Sequence, residues 1–295
     1  MYINKAYLKE RGEQATCTGQ RAYRLGASQI VEQTFAVGKA SALRQKIVLE
    51  DGCACVRFIT TVDWQEEYQM LRVKFPTDVV TDHASCEIQF GHIDRPTHGN
   101  TSWDEAKFEV CAHKWVDMAD ASGGLALLND CKYGSRIRDN VLDLCLLRSQ
   151  NCPAEHGDRG THAFTYAICP HSGDAWEGGV IAEGYRLNSP LIRADCVGTG
   201  GEMRVQPFVP EGGTAILETV KKAEDSDDLL LRLYEARGGA TRTTLRLNGY
   251  RAIELVNLLE EPMAEALQTD GDAVMLPFHA FEIKTVRIRK KGQEL

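Results

Sequence analysis

Apolar and polar residues alternate over many short stretches of the 295-residue chain, and a period of two is the pattern of half-buried β-strands. Runs at 42–49 and 53–64 flank Glu50-Asp51-Gly52, and this Asp-Gly turn predicts a β-hairpin. Alternate residues of the second run share one face: Val56, Phe58, Thr60, Val62 and Trp64.

The same pattern predicts further strands in both halves of the chain. In the first half they lie at 71–75, 86–90, 108–118, 125–128, 141–147 and 162–169. In the second half they lie at 203–209, 215–221, 229–235, 241–247, 252–259 and 281–288. No run of helical period extends beyond about ten residues, so the predicted fold class is mainly β.

The length and spacing of the predicted strands change after Leu191, and the segment Gly198-Thr199-Gly200-Gly201 interrupts the strands. The strands beyond this break are shorter, and turns containing Gly or Asp separate them at regular intervals. This spacing is typical of a β-sandwich. We therefore expect a wide, two-layered antiparallel domain at 1–191 and a C-terminal β-sandwich domain at 192–295.

The charge balance limits the classes of partner. The chain has 34 Lys and Arg against 42 Asp and Glu, a net charge of −8, so no nucleic-acid or anionic-membrane partner is expected. No apolar run approaches the roughly 20 residues that cross a bilayer, and the first residues lack the apolar segment of a secretion signal. We therefore expect a cytoplasmic protein whose 10 cysteines are reduced thiols.

Two segments carry more polar and turn-forming residues than a scaffold requires. The first is 91–104, interpreted as a long connection between strands, where binding residues tend to concentrate. Its candidate residues are Arg95, His98, Asn100 and Trp103. The alternative is an ordered loop whose polar groups bond to its own backbone, with Trp103 packed as a plug.

The second segment is 127–135, where an apolar strand ends in Asn129-Asp130 and continues with Lys132 and Tyr133 before Gly134. Asn and Asp can hydrogen-bond sugar hydroxyls, and the amphipathic ring of Tyr can stack on a pyranose face. Asn-Asp followed by Gly is also common turn chemistry. The residues alone leave both interpretations open.

No spacing in the chain specifies a reaction. Cys53-Ala54-Cys55 has no second pair nearby in sequence, and His92-Ile93-Asp94 is too short a pattern to define a metal site. The sequence contains neither a phosphate-binding glycine loop nor a nucleophile elbow. His171 is predicted as a surface or capping residue. We therefore predict no catalytic residue, metal ligand or cofactor within this chain.

Several stretches carry a more specific signal, because they match one family in order along nearly the whole chain. They include Gly91-His92-Ile93-Asp94-Arg95-Pro96-Thr97-His98, Asn129-Asp130-Cys131-Lys132-Tyr133-Gly134 and the runs 108–115, 162–167, 256–260 and 281–284. In these stretches the chain resembles the C-terminal β region of glycoside hydrolase family 38 α-mannosidases of the cytosolic type.

The resemblance implies a retaining exo-α-mannosidase whose zinc ligands and nucleophile belong to an N-terminal α/β barrel outside the matched region. It also implies a galactose-mutarotase-like supersandwich followed by a smaller β-sandwich. The expected partners are the catalytic N-terminal domain of the same enzyme and mannose-containing glycans. The sequence leaves the oligomeric state, including a homo-oligomer, open.

The resemblance further implies that the chain alone is inactive and that the two segments face the substrate cleft or the domain interface. The residues assigned to these roles are Arg95, His98, Asn100, Trp103, Asn129, Asp130, Lys132 and Tyr133.

Two other functions are compatible with the sequence. One is a stand-alone carbohydrate-binding module. The other is an enzyme of the aldose-epimerase kind, in which His92, His98 or His162 would work with a carboxylate in one groove. This second alternative rests on fold analogy alone.

Overall fold

The computed structural model describes residues 8, 12–150, 152, 155, 157–192 and 208–292, and the chain forms two compact units. The first comprises Met1–Glu87 and Ile93–Leu191, and the second comprises Ile88–His92 and Ile192–Leu295. Most regular structure in the described residues is β, so the predicted fold class is confirmed. The assignment of 1–191 and 192–295 as separate domains stays a prediction.

Two antiparallel sheets and two short helices make up the first unit. The large sheet has the strand order β1-β2-β3-β4-β13-β10-β9-β6-β7, and the small sheet has the order β5-β12-β11-β8. The elements are β1 (Thr16–Leu25), β2 (Ser28–Val37), β3 (Ser41–Glu50), β4 (Val56–Trp64), β5 (Met70–Pro76), β6 (His83–Ile88), β7 (Gly91–Pro96), α1 (Ser102–Ala106), β8 (Val110–Cys111), β9 (Trp115–Asp120), β10 (Gly123–Asn129), β11 (Gly134–Arg138), β12 (Val141–Arg148), β13 (Gly160–His171) and α2 (Val180–Asn188).

The core of the first unit lies between its two sheets. Trp64 of β4 and Leu127 of β10 belong to the same buried cluster as Leu142 and Leu144 of β12. Each of these side chains is at most 2% exposed. Burial of one large apolar side chain contributes about 1.5–3 kcal/mol, so this apolar layer is the main interaction that holds the two sheets together.

The second unit is a smaller sandwich of two sheets, β14-β17-β20-β19 and β15-β16-β21-β18. Its strands are β14 (Phe208–Glu211), β15 (Ala215–Lys222), β16 (Leu229–Glu235), β17 (Thr241–Leu247), β18 (Tyr250–Val256), β19 (Gln268–Asp270), β20 (Ala273–Phe278) and β21 (Ile283–Lys290). Leu231 and Val286 from one sheet pack with Leu245 and Leu276 from the other. Residues 203–207 of the strand predicted at 203–209 lie outside the described residues.

Strand β13 is an interior strand of the large sheet, because it pairs with β4 on one side and β10 on the other. Its Tyr166 ring stacks on Phe58 at a centroid distance of 4.9 Å, and Gln45 Nε2 donates to the Tyr166 hydroxyl at 2.8 Å. Burial raises the pKa of Tyr166 to about 12. The phenol is therefore neutral at ordinary pH and acts as a buried anchor for the strand.

His171 ends β13 and is buried, so its prediction as a surface or capping residue is wrong. Its side chain is 3% exposed, and its Nε2 lies 2.8 Å from Oδ1 of Asp117, whose side chain is 4% exposed. The two residues lie on strands that flank β10. A Cβ on Gly124 of β10 would lie 2.6 Å from His171 Cε1, so glycine is needed there for the pair to form.

Cys55 and Cys169 form a disulfide, which differs from the expectation that all thiols are reduced. Cys169 lies in β13 and Cys55 immediately precedes β4. Their Cα atoms are 4.3 Å apart, although the two residues are separated by 114 positions in sequence. The sequence did not indicate this pairing because it depends on which strands are neighbours in the sheet. The other cysteines of the described residues are free.

The predicted strand at 86–90 is also wrong in its boundaries. Strand β6 ends at Ile88, and Phe90 occupies the turn before β7 with φ 57°. Neither helix of the described residues has the length and apolar character needed to span a bilayer.

The His171–Asp117 pair makes stability depend on pH. The hydrogen bond that His171 Nε2 donates to Asp117 Oδ1 is the main cause that raises the pKa of His171 above 6.5, and burial opposes it. Because the pKa is raised in the folded state, the stabilisation is complete below about pH 6.5 and is lost as pH rises through the folded value. We expect Asp117→Asn to lower the free energy of unfolding by about 1.5–3 kcal/mol below that pH, and by less above it.

Urea unfolding of both proteins across this pH range measures the effect. The control is Asp82→Asn, which removes the partner of the exposed His83 and should change the free energy by at most about 0.5 kcal/mol. If the difference in the free energy of unfolding between the chain and Asp117→Asn stays constant from acid to alkaline pH, the His171–Asp117 pair is not the source of pH-dependent stability.

Candidate functional site

The segment predicted as a long connection at 91–104 contains regular structure at both ends. Arg95 lies in strand β7, and Trp103 lies in helix α1. Only His98 and Asn100, among the four candidates, lie in the connection itself. The prediction of one long loop is therefore wrong, because Gly91–Pro96 joins the large sheet as its edge strand.

Arg95 interacts with the thiol of Cys86 on the neighbouring strand β6. Burial is the main cause that raises the pKa of Cys86 to about 12, and the charge and hydrogen bond of Arg95 oppose this rise. Cys86 is fully buried, so it remains a neutral thiol. Arg95 is half buried, which favours a role in packing this edge of the sheet over direct contact with a ligand.

Trp103 is 80% exposed, so the alternative in which it packs as a plug is wrong. A capping box fixes the helix that carries it: Asp104 N donates to Thr101 Oγ1 at 3.1 Å, and Thr101 N donates to Asp104 Oδ2 at 3.3 Å. The His98 Nδ1 atom lies 3.7 Å from the same carboxylate oxygen. The helix therefore presents a large aromatic ring to solvent from a fixed base.

Asn129 is a buried turn residue at the end of β10, only 2% exposed. Its Nδ2 donates to the carbonyl oxygen of His113 at 2.7 Å, and its Oδ1 accepts from Lys132 N at 2.7 Å. Both ends of the amide are thus used within the protein. Of the two interpretations left open by the sequence, the structure supports turn chemistry for Asn129.

Asp130 is tied to β13. Its Oδ2 accepts from Thr165 N at 2.8 Å, and its own N–H donates to Thr165 O at 3.1 Å. The Oδ1 atom is buried with no hydrogen-bond partner of normal geometry. The Asp130 carboxylate is nevertheless close enough to the Cys131 thiol to change the pKa of that thiol. Burial first, and Asp130 second, raise the pKa of Cys131 to about 11.

Lys132 and Tyr133 follow this anchored turn and differ from it in exposure. Lys132 Nζ lies 4.7 Å from the centroid of the Phe164 ring, a cation–π contact. The Tyr133 ring is 44% exposed and meets the His113 ring edge-on at a centroid distance of 5.1 Å. The turn therefore holds an aromatic ring and an ammonium group at the surface with restricted freedom.

Three residues beside this turn were not among the sequence candidates, namely Glu87, His113 and Lys114. The buried Glu87 accepts from Lys114 N at 2.8 Å and from Lys114 Nζ at 2.9 Å, and its Oε2 lies 3.7 Å from His113 Nδ1. Lys114 Nζ also lies 4.9 Å from the centroid of the Tyr185 ring. Their signal in the sequence is weak, because Glu87 is separated from the other two by an entire strand and helix.

The structure places the two candidate segments at opposite ends of β11. Thr97 O accepts from Asp139 N, just after β11, at 2.7 Å, whereas Tyr133 immediately precedes β11. The histidines considered for epimerase chemistry have different surroundings. His92 belongs to the second unit and meets Phe281 edge-on, while His162 Nε2 contacts Asp158 O at 2.7 Å.

Neither segment fits the zinc that the resemblance implies for the catalytic domain. Within the described part of the chain, the group of three ligand atoms close enough to share one ion comes from Cys53, Cys55 and Glu183, outside both segments. Two surface depressions of about 680 and 590 Å³ are lined by residues of the second unit and by none of the eight candidates.

Comparisons with known proteins identify the family. The profile described as "Glycosyl hydrolases family 38 C-terminal domain" matches residues 3–156, about half of the chain. The chain belongs to glycosyl hydrolase family 38. A second profile, "Glycosyl hydrolases family 38 C-terminal beta sandwich domain", matches residues 214–286. The resemblance to a family 38 α-mannosidase C-terminal region is thereby confirmed.

Curated family 38 relatives are longer than this chain. Alpha-mannosidase 2C1 of Homo sapiens is 44% identical over 248 residues, which cover 82% of this chain and 24% of the relative. The protein of the same name from Mus musculus is 42% identical over 252 residues, with coverages of 83% and 24%. Alpha-mannosidase G of Dictyostelium discoideum is 39% identical over 254 residues, with coverages of 83% and 23%. The chain spans about a quarter of the length of these relatives.

Solved family 38 structures share the fold. An alpha-mannosidase from Enterococcus faecalis V583 aligns with a TM-score of 0.79 at 17% identity, covering 93% of this chain and 35% of that chain. A second structure, of a protein in the glycosyl hydrolase family 38 from Enterococcus faecalis, aligns with a TM-score of 0.76 at 18% identity, with coverages of 93% and 36%. These likenesses confirm the predicted fold class.

The anchored turn gives a direct prediction about stability. Asn129→Ala removes both amide hydrogen bonds and leaves the His113 carbonyl without its donor, so we expect the free energy of unfolding to fall by about 1–3 kcal/mol. Asn100→Ala is the matched control, since Asn100 is exposed, and should change it by at most about 0.5 kcal/mol. Chemical denaturation measures both, and equal effects would show that the Asn129 amide is not an anchor.

Proposed function

We propose that this chain is the accessory β region of a family 38 α-mannosidase that removes terminal α-linked mannose. In this proposal a separate N-terminal domain supplies the zinc and the nucleophile, and this chain supplies domain packing and contacts to the sugar. Support comes from the match to the family's C-terminal regions and from the fraction of the curated relatives that the chain spans.

The observation that carries the sugar-contact role is the half-exposed ring of Tyr133 on a turn that the buried Asn129 anchors. Asn129 uses both ends of its amide on the protein backbone, and Asp130 Oδ2 accepts from Thr165 N, so both act as positioning residues. Lys132 and Tyr133 are the side chains left to reach a substrate. A held aromatic ring stacks on a pyranose face with little loss of conformational entropy.

The domain-interface role falls to the other candidate segment. Trp103 is 80% exposed, and exposed Trp side chains are enriched at the centre of protein interfaces. Its helix lies beside Asn100 and His98, polar residues that suit the rim of such an interface. We assign these three residues to packing against the catalytic domain, and Arg95 to support of the sheet edge beneath them.

The two alternatives differ in what they require of the molecule. A stand-alone carbohydrate-binding module would use the same Tyr133 ring, so the ring itself does not separate it from the main proposal. Epimerase chemistry requires a histidine and a carboxylate in one groove, and it rests on fold analogy alone. Cytoplasmic location is part of the proposal and rests on the similarity to the cytosolic type; secretion of the protein by its own cells would contradict it.

Substitutions in the complete α-mannosidase that contains this chain test the two roles. We expect Tyr133→Ala to lower kcat/KM for an α-mannoside by about tenfold, or about 1.4 kcal/mol of transition-state stabilisation, while the melting temperature is nearly unchanged. Trp103→Ala should instead lower the melting temperature of the complete enzyme with a smaller effect on KM.

The matched control for the ring is Tyr68→Ala, because Tyr68 is 76% exposed and lies outside both candidate segments. Its kinetic constants should equal those of the unmodified enzyme. If Tyr133→Ala turns over the mannoside as well as Tyr68→Ala does, the proposed sugar-contact role is wrong.

A further inference from the structure

Three sulfur atoms and a carboxylate converge at one place in the first unit. Cys53 and Cys55 lie on the residues that lead into β4, and Glu183 lies on α2. Their ligand atoms all fall within 4.8 Å of one another. The fourth group is Cys169 of β13, whose sulfur is bonded to that of Cys55.

This arrangement matches a tetrahedral site for a thiophilic cation. Zinc bound by cysteine has Zn–S distances of about 2.3 Å, so neighbouring ligand atoms of a tetrahedron lie about 3.8 Å apart. The ligand atoms of Cys53, Cys55 and Glu183 lie within 4.8 Å of one another, and reduction of the Cys55–Cys169 bond frees the fourth sulfur to move away from Cys55 to this separation. Two of the donors, Cys55 and Cys169, are buried at 5% and 3% exposure, and Cys53 and Glu183 close the site from the side nearer to solvent.

We propose that the reduced chain binds one zinc ion through Cys53, Cys55, Cys169 and Glu183. Four protein ligands make this a closed, structural site. The Glu183 carboxylate also forms an ion pair with Arg186, a second contact of the kind that orients a metal-bound carboxylate. The ion would join the start of β4 to the interior strand β13 and helix α2, which both lie much later in the sequence.

The disulfide and the zinc site are alternative states of the same atoms. Reduction by a dithiol breaks the Cys55–Cys169 bond, transfers two electrons and two protons to the sulfurs, and oxidises the dithiol to its own disulfide. Zinc then binds the three thiolates, and the thiol protons pass to solvent. Oxidation consumes two of the four ligands, so zinc binding is lost when the disulfide forms.

Zinc titration of the whole 295-residue chain tests the proposal. The chain is reduced with a dithiol, freed of reductant without air, and titrated with zinc against a competing chelator. Cobalt added instead of zinc reports thiolate ligands through its charge-transfer absorption. The variants are Cys53→Ser and Glu183→Gln, and the matched control is Cys17→Ser, which removes an exposed free thiol of β1.

The reduced chain and Cys17→Ser should each bind one zinc ion, show the thiolate–cobalt band and gain thermal stability on zinc addition. Loss of a group that only supports a metal ligand costs about 10–100-fold in affinity. Cys53→Ser removes a ligand itself, so its zinc affinity should fall by more than that range. Glu183→Gln leaves all thiols in place, so it should keep the cobalt band at reduced affinity. The proposal fails if reduced and oxidised chains bind zinc equally, or if Cys53→Ser binds it as tightly as Cys17→Ser.

Discussion

The interior position of β13 in the large sheet is the constraint on which the rest of the first unit depends. Because β13 pairs with both β4 and β10, several of its residues meet partners from distant parts of the sequence. Thr165 holds Asp130 of the candidate turn, Cys169 reaches Cys55, and His171 reaches Asp117 across β10. A shift of β13 by one residue would move all of these groups to the opposite face.

Alternation predicts many of the strands that are buried on one face, but it misses β11 and β20, whose burial also alternates. The hairpin of β3 and β4 follows from alternation, and its Asp-Gly turn is where the pattern places it. Strand β1 has no such signal, because it is an edge strand with nearly every residue exposed. Helix α2 is only nine residues long, so its period is too short to recognise without its packing partners.

The candidate site was predictable in position but not in the roles of its residues. Asn129, Asp130, Lys132 and Tyr133 are adjacent in sequence, and their residue types favour both sugar binding and a turn. The structure separates them, since the side chains of Asn129 and Asp130 bond to the backbone, whereas the Tyr133 ring is exposed and Lys132 lies over Phe164. That division depends on His113 and on β13, which lie outside the segment. Alternation predicts β13 as a strand, but it does not show that β13 lies beside this turn.

The central claim is that this chain serves catalysis that another domain performs. Hydrolysis of a chromogenic α-mannoside by the purified 295-residue chain, with and without added zinc and beside the complete enzyme, tests it most directly. The account predicts turnover by the complete enzyme and none by the chain under either condition. Turnover by the chain alone that decreases in proportion as the chain is removed from the assay would contradict this claim.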